Sequence, residues 1–146
     1  MNKYVIGKEL IKNVFITIQK NVKEVLDIKF KGKTKNVIVV KFVDSEDLKH
    51  EDGYVSSELS YYVSDFTFLI KKWAAKNNFS IVSGVSIHEK YYAILKTKND
   101  DNFYSASDFN EVQSIINVGE YLLNELEAEN TRRNKLWSDK WHMMNY

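Results

Sequence analysis

The chain has no cysteine and no proline among its 146 residues, and its only arginines are Arg132 and Arg133. Without cysteine there is neither a disulfide nor a thiolate zinc site, and a reducing, cytoplasmic setting is the natural expectation. Lys, Asn, Ile and Tyr are abundant instead. AT-rich codons favour them, which points to a low-GC bacterium or a phage. No stretch approaches the roughly 18 uninterrupted apolar residues of a membrane helix. The start, Met1 to Lys8, lacks the apolar core and cleavage motif of a signal peptide, so no leader and no membrane partner are expected.

What is present suffices for one folded domain: the chain is 44% hydrophobic and 14% aromatic. Its net charge of +1 hides an asymmetry. Residues 1–41 carry ten lysines against Glu9, Glu24 and Asp27, a balance of +7. Residues 42–128 carry seven lysines against fifteen acids, a balance of −8. A basic end beside an acidic middle suits self-association or a charged partner, and equally an ordinary solvated surface.

Apolar spacing predicts a helix over 8–26, with Leu10, Ile11, Val14, Phe15, Ile18, Val22, Val25 and Leu26 on one face. Its segment 14–18 is β-branched enough to read as a strand as well. Alternation at Leu26, Ile28 and Phe30, turn chemistry at 31–36 and the run 37–43 predict a β-hairpin. Residues 44–55 read as an acidic loop. Ser56 or Ser57 is the expected cap of a second helix reaching Lys76. Its core stripe is Leu59, Tyr62, Val63, Phe66, Leu69, Ile70, Trp73 and Ala74. A second hairpin spans 79–98 about His88 and Glu89. Asp108 and Glu111 resemble a capping box opening a third helix, striped by Phe109, Val112, Ile115, Ile116, Leu122, Leu123 and Leu126. Gly119 lies inside that stripe, where it implies close approach of another element. The expected class is α+β: three main helices on an antiparallel sheet of about four or more strands, in the order α-β-β-α-β-β-α, plus a C-terminal tail helix. The domain covers 1–130, and 131–146 form a basic, aromatic tail.

Familiar chemistry fails on inspection. Gly32-Lys33-Thr34 looks like the end of a phosphate-binding loop, but Asp27 stands where the first glycine belongs and a strand follows instead of a helix. His50-Glu51 and His88-Glu89 lack the second histidine of a zinc protease helix. The acidic loop puts Leu48 and Lys49 where a calcium loop needs a ligand and a glycine. The serines and the three histidines form no recognisable nucleophile system. No enzyme activity, cofactor or metal is expected.

Surfaces are more informative. Tyr61, Phe68 and Ala75 recur at seven-residue spacing opposite the core stripe of the second helix, so a partner or the chain itself must cover them. The tail carries Arg132, Arg133, Trp137 and Trp141, residue types that dominate binding hot spots. It serves as a partner arm, or it docks on its own domain and hides Tyr61 and Phe68. Lys29, Lys31, Lys33 and Lys35 alternate along the first hairpin. Period two places them on one side, where they could track a phosphate backbone, although lysine also guards edge strands against aggregation. The element order over 8–128 resembles that of class I type III secretion chaperones, helix–sheet dimers that bind unfolded client segments. The expected function is thus a non-enzymatic protein-binding module: an adaptor, a chaperone-like protein or an inhibitor from a mobile element, with another protein or a second copy as partner. The alternative is a nucleic-acid-binding accessory protein using the lysine-rich N-terminal region.

Overall fold

The computed structural model describes the backbone of residues 4–44, 49–50, 53–54, 56–88 and 90–144, and side chains at 4–44, 56–88 and 90–136. It is an α+β structure. Helix α1 (Lys8–Ile18) leads into strands β1 (Val22–Lys31) and β2 (Val37–Asp44). A short ribbon of β3 (Lys49–His50) and β4 (Gly53–Tyr54) precedes β5 (Ser57–Tyr62). Helix α2 (Val63–Lys76) is followed by β6 (Ser80–Val85), β7 (Tyr91–Lys96), β8 (Asn102–Asp108) and α3 (Glu111–Met144). The three helices agree with expectation. The single sheet does not: β1-β2-β5 and β6-β7-β8 are two separate antiparallel sheets. The element order also differs from expectation in part, with β3, β4 and β5 added before α2 and β8 before α3, so the likeness to secretion chaperones, which rested on that order, is weakened.

Each departure has a local cause. The first helix stops at Ile18 because the apolar residues that seemed to extend it belong to a bulged strand. Pairing of β1 with β2 is interrupted at Lys23 and again at Leu26. Each bulge adds one residue, so Val22, Val25, Ile28 and Phe30 all pack toward the core at spacings that imitate a helix. Leu26, the extra residue, is left half exposed. The 14–18 segment, despite its β-branched residues, is helical, with Val14 and Phe15 buried.

The second helix starts at Val63, not at Ser56 or Ser57. Residues 57–62 form β5, with Leu59 and Tyr61 half buried between exposed Glu58, Ser60 and Tyr62. No side chain caps α2; the Val63 N–H instead donates to the Asn36 carbonyl in the β1–β2 turn at 2.8 Å. That turn needs Gly32, whose φ is +96° and whose absent Cβ would lie 2.8 Å from Asn36 Oδ1. At α3 the cap is Asn110, whose Oδ1 accepts the Gln113 N–H at 2.7 Å, while Asp108 accepts from Phe109. Phe109 therefore lies before the helix and is 96% exposed, outside the stripe assigned to it.

Five strands, three of them in the first sheet, separate α1 from α2, and three separate α2 from α3. An odd number of antiparallel strands carries the chain from the end where one helix stops to the end where that helix began, and the contacts agree that α1, α2 and α3 run the same way. Leu10 of α1 and Ile70 of α2 both meet Gly119 of α3, where an added Cβ would lie 3.3 and 2.9 Å from them. Farther along, Asn13 and Thr17, Trp73 and Lys76, and Leu123 and Leu126 line one chamber of about 350 Å³. The expected close approach at Gly119 is thus to two helices.

The core is continuous. Phe15 meets Phe42 edge-on at 5.1 Å, and Tyr61 meets Phe66 at 5.6 Å. Val39, Phe66, Trp73, Ile116 and Leu123 are buried, and Ile94 is half buried. Tyr121 of α3 stacks on Tyr104 of β8 at 3.9 Å and meets Phe103 at 6.0 Å.

Candidate partner-binding surfaces

Tyr61 is not on α2. It belongs to β5, faces Phe66, and burial pushes its phenol above the usual value. The seven-residue line through Phe68 and Ala75 therefore does not lie on one helix, because Tyr61 precedes the start of α2. Phe68 remains on α2 and is 67% exposed. It borders a groove of about 180 Å³ between α2 and the start of α3, with Lys71, Glu111 and Ile115. Nearby, Lys71 Nζ donates to Ser83 Oγ at 2.9 Å, and Ser83 donates to Glu111 Oε1 at 2.6 Å. The serine is held from both sides and acts as a strut joining α2, β6 and α3.

The tail is the end of α3, not a separate helix. At 1.5 Å per residue, 34 residues make a rod of roughly 50 Å. Its first half packs on the domain. Every side chain from Thr131 to Leu136 is exposed, Leu136 at 68%. Arg132 and Arg133 both pair with Glu129, at 3.2 and 3.3 Å, on the helix surface. Such exposed pairs contribute little. The side chains of Trp137 and Trp141 lie outside the described residues. The start of α3, beside Phe68, is separated from Trp137 by roughly 35–40 Å of helix. A continuous helix cannot fold its end back onto α2, so the tail does not hide Phe68, and the patches are independent.

Lys29, Lys31, Lys33 and Lys35 are all exposed around the β1–β2 turn. They do not form one alternating row: β1 ends at Lys31, and Lys33 and Lys35 lie in the turn, Lys35 at a φ of 51°. Lys29 also pairs with Asp27 at 3.6 Å. The acidic loop lies largely outside the described residues. Among the described residues no cluster of three His, Asp or Glu could hold a metal ion, and no helix is long and apolar enough to cross a membrane.

One surface escaped the sequence reading. Asn110, Gln113, Asn117, Glu120 and Asn124 recur at spacings of three and four and form a polar stripe along α3. Gln113 grips the extended N-terminal segment: its Oε1 accepts the Val5 N–H and its Nε2 donates to the Val5 carbonyl, both at 2.8 Å. Glu120 accepts the Gly7 N–H at 2.8 Å. Gln113 also donates to Asn117 Oδ1 at 2.9 Å, and Asn117 to Asp108 at 3.4 Å. Residues 4–7 are thus strapped along α3. Between the strap and the end of β8 lies a cavity of about 380 Å³, walled by Val5 and Phe109 and floored by Gln113 and Asn117. The spacing of these amides is legible in the sequence, whereas their hold on residues 4–7 depends on the fold. Against models of protein families, curated proteins and solved structures, the chain finds no match.

Proposed function

We propose that the chain is a non-enzymatic protein-binding module whose partner engages the projecting half of α3. One observation carries this reading: α3 runs on to Met144 although its side chains from Thr131 to Leu136 touch nothing that shields them. A helical segment of this length is marginal alone in water and gains stability by burying an apolar face. The sequence supplies Leu136, Trp137, Trp141, Met143 and Met144 there, with Arg132 and Arg133 at the base, residue types rich in binding energy. Adaptor, chaperone-like and inhibitor roles all use such an arm.

The test is a photo-crosslinking residue at position 136 of the full chain, with sedimentation of the full chain and of a 1–130 truncation. The expected result is a crosslinked product, with another protein or a second copy, that Trp137→Ala plus Trp141→Ala abolishes. The truncation should keep its melting temperature within a few degrees. A full chain that stays monomeric and forms no crosslink would overturn the reading.

The alternative, a nucleic-acid-binding accessory protein, is favoured by the four exposed lysines of the first hairpin. Retention on heparin that falls steeply with salt would support it.

A further inference from the structure

We propose that the free edge of β8 receives an extended segment of another polypeptide, which adds a fourth strand to β6-β7-β8 in the slot beside the N-terminal strap. This surface is distinct from the α3 arm and does not depend on it.

The backbone carries the first step. The Ser86 N–H donates to the Lys90 carbonyl at 2.9 Å, and the Thr97 N–H to the Asp101 carbonyl at 2.9 Å. These bonds close the two turns of the sheet. Backbone groups point alternately to either side along a strand, so even-numbered residues of β7 bond toward β6 and odd-numbered ones toward β8. The bonded pairs of β7 and β8 are then Tyr91 with Asp108, Ala93 with Ala106, and Leu95 with Tyr104, from the register of the sheet. The N–H and C=O groups of Ser105 and Ser107 point the other way, to the open edge.

The second step is that this edge is unguarded. β1, one edge of the first sheet, has bulges at Lys23 and Leu26 and exposed Lys29 and Lys31, devices that discourage strand addition. β8 carries no lysine, arginine or proline, and its irregularity is confined to its start at Phe103. From Tyr104 to Asp108 it is regular, and Ser105, Ala106 and Ser107 are small enough to let another backbone approach.

The third step is room. On α3, Gln113 and Glu120 hold the strap, while Asn117 and Tyr121 touch β8. These lines lie about 70° apart around the helix, which places strap and β8 roughly 10 Å apart. Two strand spacings are about 9.5 Å. The cavity between Val5 and Phe109 is the open end of that slot. Its floor already shows how it treats an extended chain, since Gln113 reads both backbone groups of Val5. The incoming segment is recognised chiefly through its backbone, as in strand addition generally. Its inward side chains meet the amides of α3, which suits serine, threonine, asparagine or glutamine. One apolar residue lies against Phe109, 96% exposed, and Val5.

The test pans a phage-displayed library of random dodecapeptides on the immobilised full chain and measures the selected peptides in solution. Ser105→Pro and Ser107→Pro each delete an outward N–H without touching the ladder to β7. Each should weaken binding at least tenfold with a melting temperature within a few degrees of the parent. Should either fail to fold, alternate N-methylation of the peptide gives the same reading: methyl groups at every second residue should abolish binding and those between should not. Leu136→Glu should leave peptide binding unchanged, which separates this site from the α3 arm. Selection of no binder, equal binding to both proline variants, or a dimer of the chain that the proline variants dissolve would overturn the proposal, the last by giving the edge to a second copy.

Discussion

The two sheets of this protein follow the same plan, a helix and then a three-stranded meander, yet treat their surfaces oppositely. In β1-β2-β5 the central strand is buried on both faces: Ile38, Val40 and Phe42 enter the core, and Val39 and Val43 on the other side are also covered. In β6-β7-β8 the central strand buries Ala93 and Leu95 toward α3 and leaves Tyr92, Ile94 and Lys96 only half covered. The first sheet has one blunted, lysine-bearing edge and the second one edge that is regular from Tyr104 onward and free of lysine. A blunted edge discourages further pairing, whereas an open one leaves backbone groups available to another strand.

The comparison is broken most forcefully at the aromatic rings. Phe15, fully buried against Phe42, should cost about 3–5 kcal/mol on substitution by alanine. Phe109→Ala, at the corner of the second sheet, should change stability by less than about 0.5 kcal/mol. Urea denaturation of both variants checks this; a large loss for Phe109→Ala would mean that the corner is structural. Next comes Gln113→Ala. It leaves both backbone groups of Val5 and one acceptor of Asn117 without their partner, and should cost about 2 kcal/mol. Hydrogen exchange at the Val5 amide should accelerate more than exchange in β2. Glu120→Ala should loosen Gly7 in the same way.

Gly119→Ala should have a smaller effect. The methyl gains about 1 kcal/mol of helix propensity but meets Ile70 Cγ2 at 2.9 Å. Isoleucine is stiff at χ1 and cannot swing away, so overpacking at about 1–3 kcal/mol should prevail. The net loss should be about 1 kcal/mol and should shrink in an Ile70→Ala background, where a double-mutant cycle reads the clash directly. The smallest effect belongs to Tyr61. Because burial raises its pKa in the folded state, the unfolded chain ionises first. Its contribution is complete below the unfolded pKa of about 10 and is lost as pH rises through the folded value. Melting temperatures above that pH should fall slightly less steeply for Tyr61→Phe than for the parent.

Much of the fold is legible in the sequence wherever one period runs without interruption. The stripe from Val112 to Leu126 is the buried face of α3, and 37–43 is a strand. Legibility fails where two periods abut or a bulge changes the count. Val22 and Val25 mimic a helix because bulges space a strand's inward residues by three. Tyr61 mimics a helix residue because β5 passes into α2 without a loop, its first N–H satisfied by Asn36 far back in the chain. Nothing local records that bond. The candidate surfaces divide similarly. Phe68 and the four lysines are exposed, but the spacings that singled them out do not hold, since Tyr61 lies on β5 and Lys33 and Lys35 lie in a turn, whereas the β8 edge depends on which strand lies outermost, a property of the whole sheet.

The parallel course of the three helices has an electrical consequence. Helices packed in opposite directions cancel one another's dipoles; here the partial charges add. The end where α1 and α2 stop therefore gathers carbonyl groups and a negative potential. α1 has no basic residue in its own last turn. Lys76, from the last turn of α2, reaches across to the Thr17 carbonyl at 3.5 Å, so one ammonium serves two helix ends. Arg133 lines the same chamber from α3. The bundle is thus a small polar battery whose negative pole is met by cations of its own chain, and α3 is the one helix that carries its backbone onward past that pole.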